Sequence, residues 1–229
     1  MRQDIIKFTF KKINKESVCI SEKNFFAYKI IKEWPKWANN ALFIYGPKNC
    51  GKTLFSNIWK VRSNANTLNS NFFLKDDFKT SINKIDSKSC WIIEDLDILL
   101  KKKTNDIEEK ILNFFNIIIS KGSHILITSK KNPSNLKNKL SDLTSRLNAS
   151  IVVEVKEPDQ YLLEQIILKK LYSKQINVSA KSIQYLIKRV ERSYKSAKKI
   201  ANLIDKKSLE LKLSPSIRFM KKLIDENDL

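Results

Sequence analysis

Only three glycines stand among the 229 residues, at 46, 51 and 122, and only five prolines. So little turn-forming material excludes a collagen-like chain or a Pro/Gly-rich low-complexity one. Cysteine is equally sparse: Cys19, Cys50 and Cys90 are odd in number, far apart and outside any C-x-x-C pair. Neither a disulfide framework nor a zinc site is indicated. His124 is the single histidine, which removes most metal and triad chemistry. Arginine supplies six of the 44 basic residues, at 2, 62, 146, 189, 192 and 218. No apolar stretch approaches the roughly 20 residues of a membrane-spanning helix. Residues 1–12 are charged and carry no signal-peptide h-region, so the reading expects a cytosolic protein.

What is present describes a folded chain. Hydrophobic residues make up 42% and charged ones 30%, with apolar runs along the whole length, enough for one large domain or two small ones with real cores. The net charge of +20 has two readings. One is a polyanionic partner such as nucleic acid. The other is a coding sequence rich in A and T, which favours Lys, Asn and Ile over Gly, Pro and Arg. In either case, an arginine in such a chain marks a place where the fixed fork of guanidinium donors is wanted.

Apolar periodicity divides the chain in two. Ala41–Tyr45, a stretch near Leu68–Phe73, Cys90–Ile93, Ile125–Thr128 and Ile151–Val155 read as short strands, with helical spacing after Leu54 and over Ile107–Ser120. Strands alternating with helices predict an α/β fold with a mostly parallel sheet covered on both faces. After Pro158 the spacing is helical throughout: Leu162, Leu163, Ile166 and Ile167, then Ile183, Leu186, Ile187 and Val190, then Ile200, Leu203 and Ile204. Ser214 and Pro215 are expected to open a last helix running to Ile224. The organisation expected is an arm over 1–12, an α/β core over 13–156 with its first helix after the arm, and an all-α domain over 157–229.

Two of the three glycines fall in Gly46-Pro47-Lys48-Asn49-Cys50-Gly51-Lys52-Thr53, which matches G-x-x-x-x-G-K-[ST] between a strand and a helix. In that motif backbone N–H groups curl round phosphates at a helix N-terminus, the lysine reaches the β and γ positions, and the hydroxyl ligates magnesium. Gly46 to Thr53, with Leu54 following, are therefore the nucleotide-binding candidates, with ATP or ADP and Mg²⁺ as the ligands. Glu94 and Asp95 end the strand at Ile93 in the sequence Ile92-Ile93-Glu94-Asp95-Leu96-Asp97. With Thr53 they are candidates to hold the metal or orient an attacking water. Ser129, after Ile125–Thr128, is the candidate polar sensor of the γ-phosphate.

The P-loop after Trp34-Pro35-x-Trp37, the strand ending Glu94-Asp95, Ile127-Thr128-Ser129, Leu143-Thr144-Ser145-Arg146-Leu147 and the helical tail resemble AAA+ ATPases of the bacterial replication initiator class, the DnaA/Hda family. The resemblance spans nearly the whole chain. It implies a P-loop NTPase core with a five-stranded sheet, a helical lid, and nucleotide held between them. It puts Arg146 at the arginine-finger position, where a guanidinium offered to a neighbour's γ-phosphate stabilises transition-state charge, and Arg192 at the sensor 2 position, opening a lid helix. Gln3-Asp4-Ile5-Ile6-Lys7-Phe8 resembles peptides that dock on the DNA polymerase sliding clamp, with Gln3 held by hydrogen bonds and Ile6 and Phe8 in an apolar pocket. The initiator carries a helix-turn-helix DNA-binding domain after its lid, and this sequence ends at Leu229, so a full initiator is not expected. Glu94 stands where the initiator usually has Asp, and Lys130 where Asp is common, which puts efficient hydrolysis by this chain itself in question.

The function these features imply is negative regulation of replication initiation: a clamp-tethered chain that presents Arg146 to ATP on DnaA. Three alternatives stay open: a helicase-loader or transposition-helper ATPase that binds single-stranded DNA, a small-molecule P-loop kinase, and an inert nucleotide-binding scaffold. Weak DNA contact and self-association are compatible with the first reading, and a membrane partner is not expected.

Overall fold

The apolar runs read from the sequence form a five-stranded, all-parallel sheet, seen in a computed structural model that describes residues 18–68, 71–74, 78–83, 85–102, 106–137, 139–211 and 213–227. A helix, α1 (Phe25–Glu33), leads into β1 (Ala41–Tyr45); α2 (Lys52–Ser63) and β2 (Asn66–Leu68) follow. After α3 (Phe78–Asn83) come β3 (Cys90–Ile93), the short α4 (Leu96–Leu99), α5 (Ile107–Ser120), β4 (His124–Ser129), α6 (Ser141–Asn148) and β5 (Ile151–Glu154). The strand order is β2-β3-β4-β1-β5. In β1 and β4 nearly every residue is buried, as central strands covered on both faces require. Phe43 sits in register with Ile127 on one side and Val152 on the other.

The helices that cover the sheet owe their placement to spacing. In α5, residues 107, 111, 114, 115 and 118 are buried, a stripe one helical face wide, and Glu108 and Glu109 complement the dipole in its first turn. In α2 the buried set is Lys52, Phe55, Ser56 and Trp59, so the same face that anchors the helix carries the motif lysine. Near Leu68–Phe73 the sequence reading is corrected. The strand is Asn66–Leu68, and Phe72–Leu74 form a 3₁₀ turn. Phe72 and Phe73 lie edge-on to Phe114, with Phe78 close to both. Two adjacent aromatics that must reach the same cluster cannot sit on a strand, whose neighbours point to opposite faces.

The contacts divide the chain into two compact units, residues 24–156 and residues 157–227 with the described stretch 18–23. The second is helical: α7 (Gln160–Tyr172), α8 (Ala180–Ile187), α9 (Tyr194–Leu211) and α10 (Ile217–Asp225). Leu163, Ile167, Ile183, Leu186, Ile200, Ile204 and Met220 fill its core. Each helix start is capped by a side chain: Asp159 accepts from Leu162 N–H at 2.7 Å, Ser179 from Ser182 at 3.1 Å, Ser193 from Ser196 at 3.0 Å and Ser216 from Phe219 at 3.3 Å. The last helix thus starts at Ser216, two residues beyond the expected Ser214. Capping there puts Phe219, Met220 and Leu223 on the buried face. No helix among the described residues is long and apolar enough to cross a membrane.

Candidate nucleotide-binding site

In a parallel sheet the carboxyl ends of all strands meet at one edge, where ligands of open α/β folds bind. Here β1 ends at Tyr45 and the chain turns through Gly46 to Gly51 into α2. The loop has its special backbone at three points, with φ of 156° at Gly46, 63° at Asn49 and 109° at Gly51. Gly46 is required sterically as well, since an added Cβ would run into the Val155 carbonyl oxygen. Asn is among the side chains that tolerate the left-handed region, which explains Asn49 in a chain so poor in glycine. Gly51 opens α2, with its carbonyl accepting from Leu54 at 2.9 Å and Phe55 at 3.3 Å. The loop is tied to the sheet by Gly46 N–H donating to the Ser129 carbonyl at 3.2 Å.

Inside the loop, Lys52 is 7% exposed and its ammonium donates to the carbonyls of Gly46 at 2.8 Å and Pro47 at 2.7 Å. Cys50 is buried beside it, its Sγ 3.9 Å from Lys52 Nζ. Burial pushes the Cys50 thiol up, against the pull of the Lys52 charge, so it is a packing group and not a thiolate nucleophile. Lys48 is exposed, Pro47 and Asn49 are half-buried, and Thr53 and Leu54 lie exposed on the first turn of α2.

The acidic strand end sits against this helix. Ser56, one turn beyond Thr53, donates its hydroxyl to Glu94 Oε1 at 2.6 Å. Asp95 is exposed and holds φ of 50°. Its N–H donates to Thr128 Oγ1 at 3.0 Å, fixing the motif to the neighbouring strand. Asp97, buried, accepts from Lys130 N–H at 2.9 Å and from Ser129 Oγ at 3.4 Å. Ser129 is itself buried, and its hydroxyl also accepts from Lys131 N–H at 3.1 Å. The expected sensor hydroxyl is therefore engaged within the protein, joining the acidic turn to the end of β4. Ser56, Asp97 and Thr128 were not singled out as functional from the sequence. Ser56 at three residues past Thr53 and Asp97 as the third acid of its run were the available signals.

Among the described residues no group of three or more His, Cys, Asp or Glu is arranged to hold a metal. Magnesium is bound by one or two carboxylates and completes its shell with substrate phosphates and water. Thr53 Oγ1 and the Glu94 and Asp95 carboxylates are the oxygens that would serve, and the loop N–H groups and Lys52 would take the phosphates.

Other candidates lie elsewhere. Arg146 is exposed in the last turn of α6 and lines a cleft of about 430 Å³ with Leu112, Asn116, Asp142, Ser145 and Ala149. No residue of the nucleotide loop takes part in that cleft. Arg192 is exposed in the helical unit, and the expectation that it opens a helix is corrected: α9 starts at Tyr194 under the Ser193 cap. Gln3, Ile6 and Phe8 lie outside the described residues.

Comparisons with known proteins bear on the family and the fold. The chromosomal replication initiator protein DnaA of Campylobacter jejuni (strain 81116) is 29% identical over 200 residues, covering 78% of this chain and 43% of that protein. The chain spans about half or less of the length of such relatives. Among solved structures, domain III of the Thermotoga maritima initiator DnaA superposes with a TM-score of 0.76 at 20% identity, covering 91% of this chain and 93% of that one. A replication initiator DnaA bound to AMPPCP and single-stranded DNA gives 0.74 at 21% identity, over 96% of this chain and 71% of that one. The fold is that of the AAA+ P-loop ATPases. The bacterial DnaA ATPase domain matches residues 7–154, and the chain belongs to that family.

Proposed function

We propose that the chain is a regulatory member of the family, of the Hda kind, which lowers replication initiation by stimulating ATP hydrolysis on the initiator DnaA. Its own adenine nucleotide, ATP or ADP with Mg²⁺, is held by residues 46–54 with Thr53, Glu94 and Asp95 at the metal. The segment around Gln3, Ile6 and Phe8 tethers it to the DNA polymerase sliding clamp, and Arg146 is lent to the partner's γ-phosphate. Arg192 serves as the lid cation of the bound nucleotide. The observation that carries the reading is the exposed guanidinium of Arg146, which lines a cleft free of P-loop residues. A group so disposed is available to another subunit's ligand, where an arginine finger supplies on the order of 10³ to 10⁵ in rate. Intrinsic hydrolysis is weak in this reading, because Glu94 is engaged by Ser56 and Lys130 follows Ser129.

The test mixes the protein with ATP-loaded DnaA and DNA-loaded clamp and follows phosphate release. Arg146→Ala should abolish the stimulation and Gln3→Ala should reduce it. Equal rates for wild type and both variants overturn the proposal. The charge of +20 favours a second reading, a helicase-loader or transposition-helper ATPase that binds single-stranded DNA. It predicts DNA binding with a steep salt dependence and no requirement for Gln3 or Phe8.

A further inference from the structure

We infer that Glu108 and Asn39 are positioning residues for Arg146, pinning the two ends of α6 so that the guanidinium is offered at a fixed place. The inference rests on the reading of Arg146 as a group lent to a partner. Helix α6 has eight residues and buries only Leu143 and Leu147, which lie one turn apart. A single apolar line of two side chains seats the helix but leaves it free to pivot about that line. Polar contacts from three other segments remove this freedom.

On the entry side, Glu108 Oε2 accepts from the backbone N–H of Lys139 at 2.8 Å and of Leu140 at 2.9 Å. Leu140 is the residue before the helix and makes no side-chain cap of its own, so a carboxylate from the first turn of α5 holds the approach to α6. On the exit side, Asn39 Nδ2 donates to the carbonyl of Ala149 at 2.6 Å, and Ala149 is the residue that ends the helix. The third contact is Ser134 Oγ donating to Asn148 Oδ1 at 3.0 Å. Arg146 projects between these pins into the cleft between α5 and α6. None of the three contacts involves the nucleotide loop, so they act on the lent arginine and not on the chain's own ligand.

The experiment uses the full chain with ATP-loaded DnaA and DNA-loaded clamp, titrating the chain so that the maximal rate and the half-saturating concentration are separated. A misplacement near 1 Å in a reacting constellation costs about 10²-fold. Glu108→Ala should therefore lower the maximal stimulated rate about 10- to 100-fold with the half-saturating concentration unchanged. Glu108→Gln should restore most of it, since its amide oxygen can accept the same two N–H groups. Asn39→Asp keeps the acceptor that Ala41 N–H uses but replaces the donor to Ala149 with a carboxylate oxygen that repels its carbonyl, so it breaks the exit pin without emptying the site. Fluorescent ADP binding by the folded protein should match wild type for all three, whatever the loss in melting temperature. If Glu108→Ala and Asn39→Asp stimulate like wild type while Arg146→Ala is dead, the inference falls and the reading of Arg146 stands. Equal impairment of Glu108→Gln and Glu108→Ala also overturns it. If Arg146→Ala matches wild type, the reading itself fails and takes the inference with it.

Discussion

The two ends of the sheet are built from opposite chemistry. At the carboxyl end polar groups are linked in pairs: Gly46 to Ser129 through the main chain, Asp95 N–H to the Thr128 hydroxyl, and Glu94 and Asp97 to the hydroxyls of Ser56 and Ser129. At the amino end, the first residue of β4, His124, meets Trp34 and Trp37 edge-on at 5.9 and 5.8 Å. Trp37 in turn stacks on Trp59 at 5.3 Å, with their planes 19° apart. A parallel sheet gathers the same kind of strand end at each edge, so one edge can be packed dry while the other keeps its main chain open to ligands. Stability and binding are thus assigned to different ends of the same strands, and substitutions should separate them.

The largest separation is expected from Trp59→Ala at the aromatic end. Trp59 is fully buried, and truncating a buried Trp costs about 3–5 kcal/mol. Urea denaturation should show that loss, while nucleotide affinity of the folded fraction stays at the wild-type value. Loss of affinity without loss of stability would show that the two ends are not independent. A smaller effect, on stability and binding together, is expected at Gly46. Gly46→Ala places a Cβ against the Val155 carbonyl and should cost about 1–3 kcal/mol in backbone strain, with nucleotide binding falling alongside. Gly122, at φ of 64° and with nothing near an added Cβ, gives the control, in which Ala costs about 1–2 kcal/mol for its left-handed backbone alone and binding is untouched. Lys52→Ala acts at the carboxyl end alone. Hydrogen bonds to charged groups are worth about 1.5–3 kcal/mol, so nucleotide affinity should drop roughly 10- to 100-fold in equilibrium titration, and the urea midpoint should fall as well, because the Gly46 and Pro47 carbonyls lose their donor.

The division between the ends also describes what the sequence could reveal. Strands with continuous apolar runs, Ala41–Tyr45 and Cys90–Ile93, were legible to the residue, because full burial on two faces leaves no polar interruption. The helix at Ile107–Ser120 was legible from its 3.6-residue period. The loop 46–53 was legible because its backbone demands glycine at fixed positions. Leu68–Phe73 misled, since a run of bulky apolar residues does not distinguish a strand from an aromatic cluster made by a 3₁₀ turn. Ser56, Asp97, Thr128 and Glu108 were not legible as parts of a site. Each acts through a partner 31 to 38 residues away in sequence, and the distance between them exists only once the sheet has formed. The opening of α9 was missed for a local reason: Ser193, beside Arg192, caps the helix, so the arginine falls outside it.

The smallest effect belongs to pH and touches only the aromatic end. Burial pushes the His124 imidazole below its ordinary value, and a hydrogen bond to the Pro35 backbone opposes the shift. A histidine reaches about 6.5 in an unfolded chain, so between that value and the lower folded one the unfolded state binds the extra proton. Stability is then full above about pH 6.5 and declines as pH falls through the folded value. The cysteines are shifted upward and do not titrate in this window, while Asp106 is shifted downward by Lys110. Urea midpoints measured between about pH 7.5 and 5.5, a range above the ordinary carboxylate values, should fall for wild type and stay level for His124→Gln. Nucleotide affinity of the folded protein should be the same at both ends of that range, because the titrating ring lies at the opposite edge of the sheet from the loop. A parallel fall in affinity in the wild type, absent from the variant, would show that the aromatic end communicates with Gly46 and Lys52 along the strands.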